Sequence, residues 1–148
     1  MLFVVFQMEE TNQAQIELYG DHTTWIALMQ VKFSLQNNSE VLIKVIQFIQ
    51  QLDEFNQKIV FTRIRCKHCG IKFPYQKTSF ELDFKYQNIV EEFQKLYNLP
   101  SVDKTYRIML DYVQVGSSRR GMKDIELKTI LETLEKEIFQ DKTKPMLD

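Results

Sequence analysis

The chain opens on an apolar run, Leu2-Phe3-Val4-Val5-Phe6, whose Val and Phe content predicts a short buried strand over residues 2–8. Residues 15–19 predict a second strand, and Gly20-Asp21-His22 reads as a turn. Residues 25–28 are mostly apolar, and from Met29 the pattern alternates: Met29, Val31, Phe33 and Leu35 against Gln30, Lys32 and Ser34. That alternation predicts a strand with one wet face. At Asn37-Asn38-Ser39-Glu40 a polar cap and an early acid predict a helix start. Val41, Leu42, Val45, Ile46, Ile49, Leu52 and Phe55 then recur at helical spacing. Residues 58–64 predict a strand that delivers the chain to Cys66, and residues 78–84 predict another. Tyr86, Ile89, Val90, Phe93, Leu96 and Tyr97 predict a helix stopped by Asn98-Leu99-Pro100. Tyr106, Ile108, Leu110 and Tyr112 alternate with Arg107 and Asp111, so a strand is expected to run to Val115. Leu127, Ile130, Leu131, Leu134 and Ile138 mark a last helix, with Glu132 and Lys136 ordered for an i,i+4 pair.

From Trp25 onward strands alternate with helices, which implies parallel pairing and a layered α/β fold. The first two strands fall outside that alternation and read as an added N-terminal β-hairpin. With 148 residues the chain is the size of one domain. Its expected divisions are an N-terminal β extension with the first core strand (1–38), a core (39–139) and a polar tail (140–148).

Charge narrows the function classes. Lys plus Arg number 19 and Asp plus Glu number 20, a formal net charge of -1. A near-neutral chain without a basic run argues against binding nucleic-acid phosphates or a polybasic membrane role. No apolar run reaches spanning length, and the first residues lack the positive start of a secretory signal. The expected location is therefore intracellular, in cytoplasm or an organelle matrix, and the sequon Asn37-Asn38-Ser39 is expected to go unused. In a reducing compartment, two cysteines spaced Cys-x-x-Cys point to redox chemistry or metal binding.

Cys66-Lys67-His68-Cys69 admits three readings. In the first, Cys66 is a nucleophile and Cys69 resolves it. Dithiol exchange needs a thiolate, and Arg63, Arg65, Lys67 and His68 supply positive potential near the sulfur. In the second, Cys66 and Cys69 are half of a zinc site, since Cys-x-x-Cys-Gly followed by an aromatic is a common knuckle form. Structural zinc takes four ligands, and no other cysteine is present, so a partner chain would have to complete the set. In the third, both cysteines are small buried hydrophobes.

The stretch from Lys58 to Cys69 resembles the strand and active site of the glutaredoxins, within the thioredoxin-like superfamily. The helix predicted at 40–55 sits where that family carries the preceding helix, and Pro74 resembles the helix proline of thioredoxins. Gly116-Ser117-Ser118-Arg119-Arg120-Gly121-Met122-Lys123-Asp124 before the last helix is similar to the family's glycine-rich turn. The resemblance implies a thioredoxin-like central sheet flanked by helices. It implies Cys66 as attacking thiol, Cys69 as second thiol, Arg63 steering the glutathione carboxylate, and Gly121 and Asp124 binding the glutathione amino end.

Two functions of different class follow. One is thiol–disulfide exchange of glutaredoxin type, acting on glutathione mixed disulfides or on a protein thiol. The other is a non-catalytic accessory subunit of a protein complex, its cysteines vestigial or half of an inter-subunit zinc site. Lys67-His68 in place of the family's Pro-Tyr, together with the N-terminal extension, favours the second; the basic surround favours the first. Protein partners are expected on either reading. His22 reads as exposed in a turn, Trp25 as core or interface, and Asp111 as remote from any base.

Overall fold

The computed structural model describes residues 11–62, 75–115 and 124–140. Among them are six helices and one two-stranded sheet. The elements are β1 (Thr11–Tyr19), α1 (Gly20–Lys32), α2 (Asn38–Gln50), α3 (Glu54–Thr62), β2 (Tyr75–Asp83), α4 (Phe84–Leu96), α5 (Val102–Val115) and α6 (Asp124–Phe139). Among the described residues a thioredoxin-like central sheet is not formed: the one sheet has two strands. The expected strand at 29–35 falls on the last turn and stop of α1, the described part of that at 58–64 lies in α3, and that at 106–115 lies in α5. β1 pairs along its whole length with β2, antiparallel, from Thr11 opposite Asp83 to Tyr19 opposite Tyr75. The expected strand at 2–8 lies outside the described residues.

The sheet keeps a period of two. Ile16, Leu18, Phe80 and Leu82 are buried on one face, while Gln13, Gln15, Lys77, Ser79 and Glu81 are exposed on the other. Glu17 lies directly opposite Lys77, a favourable cross-strand charge pair. Both outer edges are touched by side chains. The Arg107 guanidinium of α5 donates to the Glu17 carbonyl at 2.7 Å, and the Glu81 N–H donates to Ser39 Oγ of α2 at 2.7 Å. These contacts blunt an edge that would otherwise accept another strand.

The misread helices show why alternation misled. In α1 the buried side chains are His22, Trp25, Ile26 and Met29, a helical stripe, and Val31 of the apparent strand is 79% exposed. Phe33 and Leu35 belong to the helix stop. The Leu35 N–H returns to the Gln30 carbonyl at 2.9 Å and the Ser34 N–H to the Val31 carbonyl at 3.2 Å, a Schellman closure with Ser34 at φ 56°. The same closure ends α4 at Asn98, φ 55°, where the predicted stop stands. In α5, Thr105, Tyr106, Ile108, Met109, Leu110, Asp111 and Val113 are all buried, so the helix is covered nearly all round and satisfies either period.

Helix starts follow local chemistry. Asn37 Oδ1 accepts the Glu40 N–H at 2.9 Å and starts α2 as expected. The expected continuation of that helix to Phe55 is cut at Gln50, because Asp53 Oδ1 accepts the Asn56 N–H at 2.8 Å and caps α3 afresh. Ser101 Oγ accepts the Lys104 N–H at 3.1 Å and caps α5. The core is one cluster drawing on both strands and all six helices. Within it Phe61 packs between Phe93 and Tyr97, with ring centroids 4.9 and 4.8 Å away. Phe139 of α6 lies between Trp25 and Phe33, at 5.7 and 5.1 Å. No helix among the described residues is long and apolar enough to cross a membrane.

Candidate functional site

Of the residues singled out from the sequence, Cys66, Cys69, Arg63 and Gly121 lie outside the described residues. Asp124 is the first residue of α6. The cysteine pair falls in the chain between the end of α3 at Thr62 and the start of β2 at Tyr75. The sequon has a structural use instead: Asn37 caps α2, and Ser39 is buried against the edge of β2.

The structure assembles a polar cluster that sequence reasoning missed. β1 runs into α1 without a loop, so His22 enters the fold at the third position of the helix. It is fully buried, not exposed in a turn. Its Nε2 lies 2.7 Å from Asp111 Oδ1, and Asp111 is also buried. Asp111, expected to be remote from any base, therefore pairs with a histidine 89 residues away. The Tyr19 backbone N–H lies 3.3 Å from His22 Nδ1, reaching from the helix cap to its first turn. Tyr19 and His22 rings sit 5.4 Å apart, and the Arg107 guanidinium lies 5.8 Å from the Tyr19 ring. Gln114 Nε2 donates to the Asp21 carbonyl at 2.9 Å, so α5 grips the start of α1 at two levels.

Asp21, His22 and Asp111 each place one potential ligand atom within 4.8 Å of the others, a span a metal ion could bridge. The hydrogen bonding does not fit a metal. A backbone N–H only donates, so His22 Nδ1 accepts, and the ring proton sits on Nε2, where it is donated to Asp111. A metal-bound histidine needs the opposite arrangement, with the lone pair on the ligating nitrogen and a proton on the other. Nor does the pair resemble a catalytic dyad, because the nitrogen that would take a nucleophile's proton is held by the Tyr19 amide. The cluster is a strut that ties the first turn of α1 to α5.

Beside the strut lies an open groove of about 510 Å3, lined by Gly20, Asp21, Thr24, Trp25, Leu28 and Gln114. Leu28 is 58% exposed. At the far end of α1, Lys32 Nζ bonds Glu135 Oε1 of α6 at 2.6 Å, and this bond holds the ammonium above its ordinary value of 10.5 against partial desolvation. Burial, with smaller help from Glu91 and Asp103, pushes the Tyr106 phenol well above its ordinary value of 10.0.

Compared with known protein families, curated proteins and solved structures, the chain matches none.

Proposed function

We propose that this chain is a non-catalytic assembly protein, whose Cys66–Cys69 pair supplies half of a zinc site that another chain completes. The observation that carries this reading is the engagement of His22. The 148 residues contain two cysteines and two histidines. His22 is fully buried and bonded at both ring nitrogens, so it is not available as a ligand. Cys66, Cys69 and at most His68 remain, which is fewer than the four N and S ligands usual in structural zinc sites. The mostly helical fold supports the same choice, because it takes away the sheet on which glutaredoxin-type exchange was expected to rest. The glutathione roles expected of Arg63, Gly121 and Asp124 depended on that sheet and are not carried further.

A second reading keeps one support. The basic residues around the pair in sequence would favour a thiolate at Cys66, and with it exchange on a protein disulfide. Zinc content and thiol reactivity separate the two. The assembly reading expects the isolated chain to hold zinc only weakly, losing it to a mild chelator, and Cys66 to be alkylated as an ordinary thiol with a pKa of roughly 8.5. A metal-free protein whose Cys66 reacts as a thiolate well below neutral pH would favour exchange instead.

A further inference from the structure

We propose that the N-terminal apolar run Leu2-Phe3-Val4-Val5-Phe6 folds back over α1 of its own chain as an extended strap, covering the exposed ridge of that helix and filling the clefts on either side of it. Neither the cysteine pair nor any metal it holds takes part.

α1 is apolar on more than its core side. His22, Trp25, Ile26 and Met29 face inward. Thr24, Ala27, Leu28 and Val31 are exposed and, at i, i+3, i+4 and i+7, form one outward ridge. Both flanks of the ridge fall into clefts. On one flank Ala27 borders a cleft of about 120 Å3 between α1 and β2, whose lining includes the buried Ile26 and Phe80. On the other flank Leu28 borders the groove of about 510 Å3 beside the strut, together with Trp25. A helix apolar on both faces is normally covered on both.

Where the chain enters the fold selects the occupant. Gln13 of β1 and Asn38 line one pocket, and Asn38 lines the next with Gln30 and Ala27 of α1. β1 therefore starts beside the C-terminal half of α1, and the residues before Thr11 start within reach of the ridge. Gln7 to Glu10 bridge the step. Leu2 to Phe6, extended, then cover about 13 Å, against about 10 Å of helix from Thr24 to Val31. Composition agrees. Of the stretches 1–10, 63–74, 116–123 and 141–148, which lie outside the described residues, the first alone carries five consecutive apolar residues, while 63–74 and 116–123 are rich in Lys and Arg. The run is also apolar without alternation. Successive side chains of an extended backbone point to opposite sides, so such a run needs apolar surface on both. A ridge with a cleft on each flank offers that, with Leu2, Val4 and Phe6 turned to one cleft and Phe3 and Val5 to the other. The smaller cleft suits a single aromatic ring, for a dry cavity of about 150 Å3 holds benzene. The short tether to β1 gives the run a local concentration of about millimolar order at the ridge, ahead of an untethered partner.

A double-mutant comparison by thermal unfolding tests the strap. Leu28→Gln combined with Val31→Thr makes the ridge polar with little change in helix propensity. In the full chain this ridge variant is expected to lower Tm by roughly 5 °C or more, because both side chains lie under the strap. In a chain lacking residues 2–8 the same changes should shift Tm by less than about 2 °C, as for exposed positions. Val4→Lys in the full chain makes the comparison without shortening it, and should likewise remove the effect of the ridge variant. Trp25, the sole tryptophan, reads the same event: acrylamide should quench it more strongly in the shortened chain, and a peptide of residues 1–10 at about millimolar concentration should restore its protection. The Tm of the full chain should not change on dilution, since the strap acts within one chain. A ridge variant without effect in the full chain, or with the same effect whether or not the strap is intact, overturns the proposal. A Tm that falls on dilution also overturns it, because a second copy would then be what covers the ridge.

Discussion

Replacing Asp111 by alanine removes the acceptor of a fully buried imidazole N–H. His22 Nε2 donates to Asp111 Oδ1 at 2.7 Å, and the His22 ring has no solvent to turn to. Stranding such a donor costs about 1–3 kcal/mol, and hydrogen bonds to a charged acceptor sit at the upper end. With the packing lost from the shortened side chain, the expected destabilisation is about 2–3 kcal/mol, a sizeable share of the roughly 5–15 kcal/mol that holds a domain. For a chain of this size that corresponds to a fall in Tm of roughly 5–10 °C. Asp111→Asn retains an oxygen in the same place and should cost only about 1 kcal/mol. Urea denaturation followed by far-UV circular dichroism gives both values, with the slope of the transition showing whether the unfolded reference has moved. Two results would refute the strut. One is an alanine variant within about 0.5 kcal/mol of wild type, the range of an unimportant surface change. The other is a wild type whose Tm falls on chelation while that of Asp111→Ala does not, which would make the cluster a metal centre.

Further expectations rest on separate features. Ser34→Gly relieves a left-handed residue at the end of α1, φ 56°, and should raise stability by about 1 kcal/mol in the same urea assay. Ser39→Ala strands the Glu81 N–H at the edge of β2 and should cost about 1–2 kcal/mol, with slower-exchanging amides lost first around Glu81 in a hydrogen-exchange measurement. Leu42→Ala in α2, with no exposed surface in wild type, should cost about 3 kcal/mol. Tyr106 has its phenol pushed up by burial, so the folded state keeps the proton after the unfolded chain begins to lose it. Its contribution is therefore fully present below about pH 10 and is lost as pH rises beyond that value. Tyr106→Phe should leave neutral-pH stability nearly unchanged and reduce the alkaline loss, read as urea midpoints from about pH 9 to about pH 11, on either side of the ordinary phenol value.

Elements with chemically marked ends were legible in the sequence. Asn37 announces α2, Asn98-Leu99-Pro100 closes α4, and residues 15–19 and 78–84 overlap β1 and β2. What failed was the reading of short apolar runs. In α5, Val102, Tyr106, Met109 and Val113 recur at helical spacing while Tyr106, Ile108, Leu110 and Tyr112 alternate, so both periods fit the same residues. In α1 a second, outward apolar stripe made Val31 look like one side of a strand, when it is the most exposed apolar residue of its helix. The strut was illegible for a different reason. His22 and Asp111 are 89 residues apart, and no local spacing joins them. One signal was present: a carboxylate set in Ile108-Met109-Leu110-Asp111-Tyr112-Val113 is costly to bury alone, and calls for a polar partner. Reading α5 as a strand put Asp111 on a wet face and removed that demand.

The engagement of His22 also bears on the cysteines, since it removes the one distant histidine from any zinc set. Native mass spectrometry of the isolated chain, with zinc supplied and then challenged by a mild chelator, tests the proposed assembly role most directly. No single chain is expected to keep a zinc ion through the challenge; Cys66→Ser should abolish what weak binding there is, and His22→Gln should leave it unchanged. One zinc held firmly by each single chain would contradict it, because the chain would then complete the site alone.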